Sequence, residues 1–367
     1  MNFKEIDQII TRSIPSTSPA AQLAIYWHGE LVHHQAYGHL DPGTQKRLTQ
    51  LDTHFDIASL TKLFVTTAFM TLVESGEIGL DEPVSSVLPD FSGKRPIQPY
   101  EDPLNWGEWV TIEDADKKVD ASRITFRQLL THRSGLPAWR PLFGQESREA
   151  ALQMTVETFF SYTPNERVIY SDIGLILLGL AIEKMTDLPL DEALAQRVCL
   201  PLGLVNTRYN PASENIAPTE FCAWRKRRIV GEVHDENADR LDGVSGHAGL
   251  FSTANGVAAF GQSFLDASLL KSETIAEMTT LQAEDKDIRR GLGFLLHSAD
   301  PANISYAFGA RSFGHTGFTG TSLWVDPDHQ LVIALLTNRV YHGRDGAGIL
   351  RLRRSVHKEV IETINRN

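Results

Sequence analysis

The chain has 367 residues, 42% of them hydrophobic and 22% charged, the ordinary mix for a globular protein with a sizeable core and room for two lobes. A formal net charge of −11 argues against nucleic acid as a partner, because phosphate binding needs a surplus of Lys and Arg. No apolar stretch reaches the ~18 residues of a membrane span, and the first residues lack the basic and apolar regions of a signal peptide, so the expected location is cytoplasmic and no membrane partner is expected.

Phe3, Ile6, Ile10 and Ile14 recur at helical spacing and predict an amphipathic helix at the start. Residues 22–27 and 31–37 are strand-like and are separated by His28, Gly29 and Glu30, the pattern of a hairpin. A long apolar helix is expected from about Ser59 to Glu74, with Gly76 as its stop, and its apolarity on several faces predicts burial. Residues 77–239 mix short helices with Pro- and Gly-marked loops, including the apolar run Ile173 to Ile182. Strands are expected at 291–297, 311–315, 321–325 and 331–337, and Leu352, Val356, Val360 and Ile364 share one face of a closing helix. Strands near both ends, flanked by helices, predict an α+β fold: an antiparallel sheet with N- and C-terminal helices (residues 1–58 and 240–367), a mostly helical lobe (59–239) inserted, and the active site between them.

Cys199 and Cys222 have neither metal-ligand spacing nor the density of a disulfide scaffold, and both are expected to be reduced thiols; no metal or cofactor is expected. The basic run Arg225 to Arg228 reads as a solvated strand or loop face.

Ser59-Leu-Thr-Lys62 is an S-x-x-K match at the start of the buried helix, where positions i and i+3 share a face and the amine can reach the hydroxyl. Ser268 with Lys271 and Ser355 with Lys358 match the same pattern without that context. A serine at a helix N-terminus feels the positive end of the dipole, and an unprotonated Lys62 could take its proton if burial and a nearby positive charge lower its pKa. Tyr170-Ser-Asp172 precedes the second apolar helix, which aims a phenol at a cleft as a proton shuttle. His315-Thr-Gly317 ends a strand, with Gly317 allowing close approach of a substrate. The N–H groups of Phe318 and Ser59 then form an oxyanion hole. Ser245, in Gly243-Val-Ser-Gly-His247, lacks the spacing of a nucleophile elbow. His234, Asp235 and Glu236 lack metal-ligand spacing.

S-x-x-K, then Y-S-D, then H-T-G, in this order and widely spaced, resemble the three signatures of the serine β-lactamase and penicillin-binding-protein superfamily. The surrounding text, Phe55 to Lys62, Leu130 to Pro137, Tyr170 to Gly174 and Gly243 to Thr253, is similar to its class C branch, which holds family VIII esterases, D-aminopeptidases and DD-peptidases. The resemblance spans roughly residues 20–340 and implies the β-lactamase/transpeptidase-like fold. It also implies a serine acyl hydrolase with Ser59 as nucleophile, Lys62 and Tyr170 as its proton-transfer partners, and His315, Gly317, Phe318 and Asp172 around the substrate. The alternatives it leaves are a β-lactamase or DD-peptidase, and a binding member without turnover; the retention of Ser59, Lys62 and Tyr170 speaks for an enzyme. His315 stands where β-lactamases carry Lys, and Asp172 where the tyrosine motif usually ends in Asn. Both point away from lactams and toward esters, amides or cell-wall peptides, with His315 positioning the substrate or lowering the Tyr170 pKa through its positive form. Val233 to Ala238 resembles a stretch in a subgroup that includes amidases cleaving N-acetylmuramyl-L-alanine bonds. Residues 95–121, with Trp106, Trp109 and several acids, look like an insertion forming a lip over the cleft or a surface loop.

Overall fold

The computed structural model describes every residue except 15, 106, 113–116 and 367. An amphipathic helix, α1 (Lys4–Ser13), leads into the hairpin β1 (Ala20–Trp27) and β2 (Glu30–Gly38), turned by His28 and Gly29. The buried helix α2 (Thr61–Glu74) follows a single 3-10 turn, Ala58–Leu60, that carries Ser59. The second apolar run is α3 (Asp172–Thr186), capped by the Ser171 side chain accepting from the Gly174 N–H. Next come a short helix α4 (Glu236–Arg240) and α5 (Ala254–Asp266). The remaining strands are β3 (Ala283–Asp285), β4 (Ile288–Arg290), β5 (Leu295–Leu296), β6 (Phe313–Thr316), β7 (Ser322–Asp326) and β8 (Leu331–Thr337), and α6 (Ala347–Asn365) closes the chain.

The eight strands form one antiparallel sheet in the order β3-β4-β5-β6-β7-β8-β1-β2, with Ala24 opposite Ala334 where the two ends of the chain meet. Both faces are covered, which explains why β8 is an unbroken apolar run. Ala21, Leu23, Ile25, Ile333 and Leu335 pack under α1 and α6. Ala20, Ala24, Val332, Ala334 and Leu336 face the main core with α2, α3 and α5, where Phe64 and Phe260 stack with ring centroids 3.9 Å apart. Of the expected strand over 291–297 only Leu295–Leu296, β5, is strand. Gly291 presses so closely on the Met278 carbonyl that a Cβ would collide, and Gly293, at φ +77°, folds the chain between β4 and β5.

The insertion is pinned by two short ladders, Lys94–Pro96 with Lys118–Asp120 and Tyr100–Glu101 with Trp109–Val110. Trp109 is exposed, and Trp106, Glu113, Asp114 and Asp116 lie outside the described residues. The basic run is less solvated than its charge suggests. Arg225 is buried against Asp239 and the Val233 carbonyl, while Arg227 forks onto Glu232. Cys199 and Cys222 are buried free thiols, and burial pushes the first up to about 12. No helix among the described residues is long and apolar enough to cross a membrane.

Candidate active site

Ser59 sits on a strained elbow. Ala58, just before it, holds φ +47°, a conformation a non-glycine residue keeps only when its surroundings impose it. Those surroundings are the buried Asp56 carboxylate, which accepts from the Ala58 N–H at 2.8 Å and from the His234 N–H at 2.7 Å. The Thr319 hydroxyl donates to the Asp56 carbonyl at 2.7 Å, and Thr321 donates to that of Ile57 at 3.0 Å. Asp56 thereby ties the Ser59 segment to the Val233–Ala238 stretch, and the two threonines tie it to the loop after His315. Gly317 belongs to the same lock: a Cβ there would collide with the Thr321 hydroxyl and the Ile57 carbonyl. The close approach expected at this glycine is therefore first of all an approach of the Ser59 segment.

Lys62, one turn into the helix and only 1% exposed, donates to Ser59 Oγ at 2.9 Å and to the His247 carbonyl at 2.9 Å. Its Nζ also lies 2.8 Å from Asp172 Oδ1, on the first turn of α3. Burial alone would depress the amine, but Asp172 and Tyr170 outweigh it and hold its pKa above the ordinary lysine value. The condition set for an unprotonated Lys62, a lowered pKa, is not met: Asp172, its direct partner, favours the ammonium.

Tyr170 is held in a ring of cations and imidazoles. The Lys62 Nζ is 4.8 Å from its ring centroid, and the rings of His132 and His315 lie 4.7 Å and 5.7 Å away. Its hydroxyl is beside Lys62 and Ser59, both of which favour its ionised form. Burial raises its pKa, partly offset by Lys62. His315 donates through its Nδ1–H to the Thr316 carbonyl, 2.8 Å away, which fixes the proton on Nδ1. Burial, with Arg290 and Lys62 nearby, drives its pKa well below the usual histidine value. The expected positive form of His315 is therefore overturned: the ring is neutral.

Two cavities meet at Ser59, Tyr170 and Phe318. One, about 260 Å³, is walled by Pro103, Leu104, Trp139, Phe318 and the 234–236 stretch, so the insertion does reach the cleft. The other, about 370 Å³, is lined by Thr316 and Gly317 and by Arg290, Arg339 and Arg353, with no acidic residue in its described wall. Ser59 and Phe318 line both.

Sequence reasoning gave no role to His132, Trp139, Arg290 or Arg353. His132 does lie inside the quoted Leu130–Pro137 text, but the arginines belong to no motif. Ser245 has the distances of a triad, with its Oγ 2.8 Å from His247 Nδ1 and His247 Nε2 2.8 Å from Asp235 Oδ1. It faces only a void of about 10 Å³ against α3, which leaves no room for a substrate. Asp172, Asp235 and His247 bring three potential ligand atoms within 4.8 Å of one another, and Lys62 already supplies a cation to that group. His234 lies 3.1 Å from Glu220, while Glu236 pairs with Arg344, so neither is a free ligand.

The sequence profile of the beta-lactamase family matches residues 7–358. A Bacillus subtilis (strain 168) protein named N-acetylmuramyl-L-alanine amidase is 32% identical over 379 residues, covering 92% of this chain and 81% of that one. An Escherichia coli (strain K12) protein named putative D-alanyl-D-alanine carboxypeptidase is 28% identical, covering 92% and 82%. Among solved structures, EstCE1, a hydrolase with promiscuous acyltransferase activity, superimposes with a TM-score of 0.76 at 22% identity over 96% of this chain and 98% of its own. An octameric penicillin-binding-protein homologue from Pyrococcus abyssi gives 0.73 at 19% identity, over 99% and 78%. The strands, the strained serine elbow and the family match converge: the chain belongs to the beta-lactamase family of serine hydrolases.

Proposed function

We propose that the protein hydrolyses amides and esters of cell-wall peptide type through an acyl-enzyme on Ser59. The observation that carries this reading is the 2.9 Å contact of Ser59 Oγ with Lys62 Nζ at the junction of two cavities. The Lys62–Tyr170 pair first gives up one proton to solvent. Ser59 Oγ then bonds to the substrate carbonyl, its proton passes to the pair, and the N–H groups of Ser59 and Phe318 hold the oxyanion. The pair returns that proton to the departing amine or alkoxide as its bond breaks. Water repeats the sequence to free the acid.

Amide turnover is favoured by the amidase relative and by the position of residues 234–236 in the cavity wall. A peptidase acting on a chain that ends in a free carboxylate is the second reading. The carboxypeptidase relatives and the arginine-lined cavity support it, since uncompensated guanidiniums suit an anionic leaving group. A neutral His315 offers a lactam carboxylate no fixed charge at that position.

The test is hydrolysis of a short-chain p-nitrophenyl ester by wild type and Ser59→Ala, followed by release of L-alanine peptides from muramyl peptides and of D-alanine from D-alanyl-D-alanine peptides. Turnover should fall at least about a thousandfold in the variant with the thermal midpoint unchanged. Equal turnover by the two proteins would refute the assignment of Ser59.

A further inference from the structure

Arg290, the last residue of β4, is a cation that the reaction above leaves unused. It is 5% exposed, its guanidinium carbon lies 5.2 Å from the centroid of the Tyr170 ring, and its Nε and Nη1 are buried without a hydrogen-bond partner. Among the described residues no carboxylate pairs with it. A buried charge left unpaired is expensive, so a fold that retains one is drawing on it for something a neutral residue could not provide. Its surroundings indicate what that is. Tyr170 is faced by Lys62 from α2, Asp172 from α3, His132 from the turn after residue 130, His315 from β6, Arg290 from β4 and the Ser59 hydroxyl. Both histidines are held neutral, and Arg290 is one of the charges that keeps them so. The ammonium of Lys62 is offset by the carboxylate of Asp172. The net positive charge left against the phenol is therefore the guanidinium of Arg290.

We propose that Arg290 is a positioning residue for Tyr170, its fixed charge favouring the phenolate and so setting the pH above which the Lys62–Tyr170 pair can accept the Ser59 proton. The inference rests on the acyl-enzyme reading. Arg290 makes no hydrogen bond to Ser59; it acts through the phenol, over whose ring its guanidinium lies. It also explains how a neutral His315 is compatible with a tyrosine that must ionise.

The experiment is the pH profile of kcat/KM on an uncharged p-nitrophenyl ester, measured for wild type, Arg290→Gln, Arg290→Met and Arg290→Lys. An uncharged ester keeps any carboxylate contact in the arginine-lined cavity out of the comparison. Loss of the charge should move the acid limb to higher pH by about one unit or more, as expected for a cation about 5 Å away at an effective dielectric constant near 20, and Arg290→Lys should restore most of it. A lower plateau with an unmoved limb would mean a structural role and overturn the proposal. The methionine variant fills similar volume without burying an unpaired group. If neither it nor the glutamine variant folds, the charge serves the fold and the proposal falls. Absence of Ser59-dependent turnover in wild type would instead overturn the acyl-enzyme reading, and this inference with it.

Discussion

Asp172→Asn removes one negative charge 2.8 Å from the Lys62 ammonium and leaves the shape of the site in place. At an effective dielectric constant near 20, two unit charges at that distance attract by about 6 kcal/mol. Asp172 is 19% exposed, so part of this is screened, but even about 1.4 kcal/mol is a tenfold change in the population of the deprotonated pair. In wild type both partners rest protonated, so kcat/KM should climb through the alkaline range. Without Asp172 the dominant remaining influence on Lys62 is burial, which favours the neutral amine, and the acid limb should move to lower pH. At pH 7 the expected gain in kcat/KM is about tenfold, provided that binding is unchanged. Stability changes in the opposite sense. The raised folded pKa of Lys62 contributes stability that is present below the ordinary lysine pKa of about 10.4 and lost as pH rises through the folded value. Asp172→Asn should lose that contribution at neutral pH, lower the thermal midpoint there and flatten its fall at high pH. The assay is a pH series of ester hydrolysis alongside thermal melts. An acid limb that stays in place while the midpoint drops would show that Lys62 does not govern the limb, and the account of the resting protonation state would be wrong.

Gly317→Ala should cost more than about 2 kcal/mol and most of the activity, because the new methyl meets the Ile57 carbonyl and the Thr321 hydroxyl, both fixed by hydrogen bonds; denaturant melts and ester turnover check it. Acid stability gives an independent signal from the cavity wall. Burial opposes ionisation of Glu220, yet its contacts with His234 and Arg344 prevail and hold the carboxyl at about 2. The resulting stability is present above the ordinary carboxylate pKa of about 4.3 and is lost as pH falls toward 2, so Glu220→Gln should flatten the decline in thermal midpoint over that window.

The periodicities that predicted α1, α2, the hairpin and α6 are local, and these elements stand where the spacing of apolar residues put them. The three signatures were legible for the same reason: S-x-x-K works through one helical turn, and Tyr170 and His315 were each marked by the element beside them. What stayed hidden depends on contacts between distant segments. Asp172 could be recognised as an extra negative charge, but its direct pairing with Lys62, which favours the ammonium, needs the packing of α3 against α2. Arg290 stands next to Arg289 in an unremarkable stretch. Its position over Tyr170 follows from the fold between β4 and β5 at Gly291 and Gly293, two residues that strand patterning placed inside one strand over 291–297. The charge of His315 was misjudged because its burial and its cationic neighbours are likewise contributed from elsewhere in the chain.

The seam between β8 and β1 also governs the order in which the molecule can be made. Ala21 to Trp27 emerge from the ribosome long before their partners on one side, Leu331 to Thr337. Until then one edge of β1 stays unpaired and the face it turns away from α1 stays uncovered, the features of an aggregation-prone strand. The inserted helices can condense in the meantime, since α2, α3 and their neighbours contact one another without the late strands. The Ser59 segment cannot, because Thr319 and Thr321, which fix Asp56 and Ile57, arrive only with the later strands. In a nascent chain the Ser59 segment is therefore not locked until the sheet closes.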